Sequence, residues 1–352
     1  MPPSPIPELI IEESPRTNRL TTFIKFSFFL GLGIFIIWLS LRGLTPEERI
    51  QILHSFRIAN YNWVILTVAM GISSHVLRAL RWMLFFEPLG YHPSLKNTFF
   101  AVMVGYFANM AFPRLGEVTR CGILARYEKI PFNKSFGTVI TERAIDMIIF
   151  IFLFFLMIVT QAGTIGHYLN TNIYPKLAEK FNNPLFGRVF LFSSIAFGAL
   201  LIAIIYLLRK KIAASSLFHK VMRLILGFWE GLKSLSLISK PGLFIFYSIA
   251  IWVLYFFMLY VCFFCFTDTS TLSPGAALSG LVLGSVGIMV TPGGIGLYPA
   301  IIQETMMLYG IVRTTGLALG WISWTAQTSM ILALGGVSLL LLSFNKQTNG
   351  KA

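Results

Sequence analysis

Six stretches of the chain are long, apolar and almost free of charge: residues 22–41, 64–77, 147–159, 189–208, 243–266 and 316–342. Runs of this kind leave few folds open. A helix needs about 20 apolar residues to cross a hydrocarbon core of roughly 30 Å. In lipid each backbone polar group must be satisfied within its own segment. The expected fold is therefore an all-α polytopic membrane protein of about six to eight transmembrane helices. Only 12% of the residues are charged and 56% are hydrophobic, whereas soluble domains carry about a quarter charged. The shorter runs reach spanning length only when polar neighbours such as Arg78 and Asp146 are drawn into the bilayer. The first run follows a proline-rich tail with Glu8, Glu12 and Glu13, and no small-residue cleavage site follows Leu41. It is expected to be a retained anchor rather than a signal peptide.

The chain is strongly basic, with a net charge of +14. Its cations flank apolar runs instead of gathering in one soluble unit, which excludes nucleic acid as the expected partner and points to orientation and anionic headgroups. One set of connections holds seventeen Lys and Arg residues and the opposite set seven. The richer set includes Lys96, Arg114, Arg120, Arg126, Lys129, Arg209, Lys210 and Lys240, and the poorer one Arg42, Arg49, Lys176 and Arg313. By the positive-inside rule both termini are expected in the cytoplasm. The expected layout is a cytoplasmic tail over 1–19, one membrane domain over 20–342 and a second tail over 343–352. Residues 217–237 mix Lys220, Arg223 and Lys233 with large apolar side chains, the pattern of a helix lying on the inner surface. Cys262 and Cys265 have redox-motif spacing but sit in an apolar helix, so they read as packed thiols and neither disulfide nor metal site is expected.

Two apolar stretches do not behave as spans. Residues 97–112 end in Pro113-Arg114-Leu115-Gly116-Glu117, and residues 276–291 end in Pro292-Gly293-Gly294-Ile295-Gly296. Each is about 16 residues, or roughly 24 Å of helix. Gly105 precedes Pro113 by eight positions, and Gly284 precedes Pro292 by eight. Proline removes a backbone donor and glycine permits sharp turns, so each helix should stop at membrane depth, with these residues as hinges. Both segments follow two spans and precede a third. The halves, about 20–161 and 186–342, then read as inverted copies, each with a re-entrant segment. Interrupted segments at matching places in two halves point to a transport site near the midplane.

Polar residues gather around the first break. Asn109 sits on the buried limb, and Arg114, Glu117 and Arg120 recur every third residue beyond it. These three share a helix face, on which Glu117 can pair with either arginine. An arginine pair beside free backbone N–H groups is a receptor for phosphate. Glu142, Arg143 and Asp146 open the next span. Asp146 lies in an apolar run, where a charge requires a partner such as Arg114, Arg120 or Arg143; the alternative is headgroup depth for all three. Arg78 and Arg81 end the second span, either as snorkelling anchors or as lining of the same pocket. Glu304 follows the second glycine turn and is expected to face protein. His75 reads as a packed histidine. No catalytic residue set, metal-ligand cluster or cofactor motif stands out.

Taken in order, Asn109-x3-Pro113-Arg114-x-Gly116-Glu117-x2-Arg120, Glu142-Arg143-x2-Asp146 and Pro292-Gly293-Gly294-x-Gly296 with Glu304 downstream resemble the lysylphosphatidylglycerol synthase transmembrane-region family. The resemblance runs from about residue 20 to 342 and implies a flippase-like membrane protein of a bacterial or archaeal plasma membrane. In the two-domain synthases of that family a separate soluble domain transfers the aminoacyl group. This sequence ends at Ala352, shortly after its last apolar run, so that activity is not expected to carry over. The resemblance implies translocation of an anionic or polyprenyl-phosphate lipid, with no cofactor. Two alternatives remain: a non-catalytic partner of a separate glycosyltransferase or lipid synthase, and a membrane enzyme acting on lipid-linked sugars. The second lacks support from the five scattered histidines.

Overall fold

The computed structural model describes residues 45–111, 115–168 and 238–348, with single positions at 31, 34, 35, 38, 42, 170, 171 and 175. The apolar run 189–208, the surface helix expected over 217–237 and the turn residues Pro113 and Arg114 lie outside the described residues, as does most of 22–41. The described residues are helical and contain no strand. Among the described residues nine α-helices have defined bounds, in order: α1 Pro46–Ile58, α2 Tyr61–Leu84, α3 Leu95–Ala111, α4 Leu115–Tyr127, α5 Phe132–Tyr168, α6 Pro241–Cys262, α7 Pro274–Val290, α8 Leu297–Leu308 and α9 Arg313–Thr348. Four of them (α2, α5, α6 and α9) are long and apolar enough to cross a membrane. The protein is an all-α polytopic membrane protein.

The helices repeat a long-short-short-long order. Helices α2 to α5 have 24, 17, 13 and 37 residues, and α6 to α9 have 22, 17, 12 and 36. The packing is reciprocal as well. Helix α2 lies against α6, α3 packs on α9 of the other half, and α7 packs on α5. The two short helices of each half form a hairpin, α3 with α4 and α7 with α8. The tips of the hairpins meet, with Met110 at the end of α3 lying against Gly293.

Helix α2 is patterned inside out. Its buried stripe is Thr67, Gly71, Ser74, His75, Arg78, Arg81 and Trp82, at the three- and four-residue spacing of one face, while Ile65 on the other side is 67% exposed. Lipid is as apolar as leucine, so burial of apolar surface cannot order such a bundle; small residues and polar contacts do so instead. Gly71 admits Met258 of α6 and Met330 of α9, Gly284 admits Tyr298, and Gly335 admits Phe107. Helix α1 begins with a capping box between Thr45 and Glu48 and rests on α9 through Ile52 and Leu317.

The second break is built from glycine geometry. Gly293, Gly294 and Gly296 have φ of 60°, 74° and 71°, a region closed to most side chains. The carbonyl of Gly293 accepts a hydrogen bond from the Trp324 indole at 2.8 Å, which ties the turn to α9. Gly293→Ala is expected to lower stability by about 1–2 kcal/mol through the left-handed backbone alone. Thermal unfolding checks it, with Gly242→Ala as a control in open space.

Candidate functional site

The charged residues of α2, α4 and α5 converge on one buried cluster. Arg78 and Arg81 are one turn apart on α2, and Glu142 and Asp146 are one turn apart on α5. Matched spacing on facing helices lets each arginine reach both carboxylates. Arg78 Nη1 lies 2.7 Å from Glu142 Oε1 and 3.0 Å from Asp146 Oδ2. Arg81 lies 3.1 Å from Glu142 Oε1 and 2.8 Å from Asp146 Oδ1. Helix α6 completes the cage: Arg78 donates to the Tyr255 hydroxyl at 3.1 Å and Arg81 to Ser248 Oγ at 3.3 Å. Arg81 and Glu142 are fully buried. Charges in such a place persist only when paired and hydrogen-bonded, since each alone would lose its hydration without return.

Arg120 of α4 joins this cluster from the side. Its Nη2 is 2.9 Å from Glu142 Oε2, yet the pair lies off the hydrogen-bonding axis, and Arg120 Nε, Arg120 Nη2 and Glu142 Oε2 have no hydrogen-bond partner. The guanidinium stacks over Trp82, 4.6 Å from the ring centroid. Trp82 is itself held by a 2.9 Å hydrogen bond to Thr138. Arg120 is thus a 95%-buried cation with unspent donors.

Arg120 also lines a small, partly open cleft between the first hairpin and α5. Tyr106, Asn109, Glu117, Arg120 and Arg143 line it, together with Gly105 and Gly116. Asn109 accepts a 2.7 Å hydrogen bond from the Gly116 N–H and so caps α4 across the break. A side chain on Gly116 would overlap the Gly105 carbonyl, which fixes how closely α3 and α4 approach. On the outer wall Glu117 Oε1 holds Arg143 Nη2 at 2.6 Å, while Glu117 Oε2 has no partner.

Several expectations need correction. Arg78 and Arg81 are not snorkelling anchors; they are buried and face the opposing carboxylates of α5. Asp146 pairs with these two arginines and not with Arg120 or Arg143. Glu117 pairs with Arg143 of α5 instead of an arginine on its own helix. Arg120 belongs to the protein interior and drops out of the loop charges. Glu304 is exposed and accepts from the Gln303 amide at 2.8 Å, and Gln303 takes the inward position. Gly105, Gly116 and Gly284 are close-approach positions within helices rather than turn glycines. Glu142, Asp146 and Arg120 do come together as a group, and His75 is packed, 4.7 Å from the Tyr106 ring. Tyr255, Ser248 and Tyr106 carried no sequence signal, being common residues within apolar runs.

The chain is similar over residues 24–335 to the lysylphosphatidylglycerol synthase TM region. It is also 26% identical over 343 residues to a UPF0104 membrane protein of Methanocaldococcus jannaschii, covering 92% of this chain and 95% of that one. No solved structure matches it significantly. An ordered set of motifs, a broken-helix hairpin and a match over most of the length agree: the chain belongs to the lysylphosphatidylglycerol synthase transmembrane-region family of integral membrane proteins.

Proposed function

We propose that this protein is a lipid translocase that carries an anionic or phosphate-bearing headgroup between leaflets, with the α3–α4 cleft as its headgroup site. The observation that supports this reading is the unspent hydrogen-bonding capacity of the buried Arg120 on the wall of that cleft. A guanidinium with free donors and a second arginine lining the same cleft suit a tetrahedral oxyanion. In this reading the two hairpins re-enter the membrane from opposite sides of the plasma membrane and meet near its midplane, with both termini in the cytoplasm. The matching helix lengths and the tip contact between Met110 and Gly293 support that arrangement. Exposed backbone at such depth is tolerated where it faces protein or a water-filled cavity. The headgroup would cross by way of the hairpins while the acyl chains stay in lipid.

Reconstitution into vesicles tests the proposal. Labelled phospholipids and polyprenyl phosphates placed in one leaflet should exchange faster with protein than without it, and Arg120→Gln should remove most of the gain. Exchange no faster than in protein-free vesicles, across the panel, would exclude translocation.

A further inference from the structure

We infer that Glu117 and Glu142 act as resident competitors for the cleft arginines, so that a phosphate oxyanion binds by exchange with a carboxylate. The inference rests on the cleft being an oxyanion site and adds how that site is controlled. Each of its two arginines is held by one carboxylate: Arg143 by Glu117 at 2.6 Å and Arg120 by Glu142 at 2.9 Å.

The two pairs differ in a way that gives exchange a direction. Glu142 is secured through Oε1, which Arg78 and Arg81 approach at 2.7 and 3.1 Å. Its contact with Arg120 uses the other oxygen and lacks hydrogen-bond geometry. Glu142 therefore loses little when Arg120 turns to a ligand, because two arginines still neutralise it. A phosphate oxygen placed on the axis of Arg120 Nε or Nη2 gains a charge-assisted hydrogen bond that Glu142 does not provide. Glu117 stands differently. Its side chain is 19% exposed and that of Arg143 is 46% exposed, so the pair is partly solvated and worth little. Its second oxygen is unpaired on the cleft wall. A carboxylate beside an incoming phosphate repels it, and this like-charge contact is a filter that only a ligand able to engage both arginines overcomes.

The described groups around Glu117 come from three helices. Helix α3 offers Tyr106 and Asn109, α5 offers Arg143 with Glu142 behind it, and α4 itself offers Arg120. Removing the Glu117 charge should leave the fold intact and the site more receptive.

The full chain, purified in detergent, is titrated with inorganic phosphate and separately with dihexanoyl phosphatidic acid. Glu117→Gln is expected to tighten binding about fivefold, and Arg143→Gln to weaken it. Tightening for the short-chain lipid alone identifies a headgroup that also needs its acyl chains, and tightening for both identifies phosphate itself as the recognised group. Unchanged or weaker binding by Glu117→Gln, with wild-type binding present, overturns the exchange and leaves the headgroup site standing. Absence of binding by wild type and variant alike overturns both.

Discussion

Glu142→Ala is expected to cost about 3–5 kcal/mol of stability, the largest loss among single substitutions in the ion-pair cluster. The carboxylate is fully buried and lies within 3.1 Å of Arg78, Arg81 and Arg120. Its removal leaves three cations facing one another, with Asp146 alone to balance them. An uncompensated charge in a low-dielectric interior is the costly event, more than the loss of any one contact. Glu142→Gln keeps the shape and part of the hydrogen bonding, so it should fall between wild type and alanine. Glu117→Ala, on the partly exposed pair, should change stability by less than about 1 kcal/mol. Thermal unfolding in one detergent ranks the three. Equal losses for Glu142→Ala and Glu117→Ala would contradict the assignment of Glu142 as the hub.

Gly116→Ala is expected to be the most damaging change of a single methyl group. A Cβ there would overlap the Gly105 carbonyl and come within 2.7 Å of the Asn109 amide carbon. The first neighbour is backbone and cannot rotate away, so α3 and α4 must separate. Overpacking of this kind costs about 1–3 kcal/mol, and here it also breaks the Asn109 cap on α4. The distance from Arg120 to Glu142 depends on where α4 sits, so headgroup binding should fall together with stability. Gly122→Ala, six residues along the same helix, meets nothing within 4 Å. It should be neutral or slightly stabilising, because alanine is the better helix former. Equal behaviour of the two variants would refute the close approach of α3 and α4.

The membrane class and the broken segments were legible because they rest on local chemistry. A charge-free run of spanning length and a proline-glycine break constrain the backbone wherever they occur. The repeated long-short-short-long helix order has one sequence counterpart, the equal Gly-to-Pro spacing at 105–113 and 284–292. The ion-pair cluster was only half legible. Glu142 and Asp146 showed their shared face through a four-residue spacing, and Arg78 with Arg81 showed theirs through a spacing of three. What the spacing does not carry is which helices are neighbours. Arg78 and Glu142 are 64 positions apart, and only the packing of α2, α5 and α6 joins them. Glu304 shows the limit at finer scale. One residue is 100° of helix rotation, enough to put Gln303 inside and Glu304 outside on α8.

In the proposed function a lipid phosphate lies in the cleft between the first hairpin and α5, held by Arg120 and Arg143. Mass spectrometry of the lipid retained by purified protein tests it most directly, with wild type beside the double variant Arg120→Gln/Arg143→Gln. Wild type should retain a phosphate-bearing lipid well above its share of the membrane extract, and the double variant should lose that enrichment while still folded. The same enriched lipid in both proteins would exclude the cleft arginines as the headgroup site.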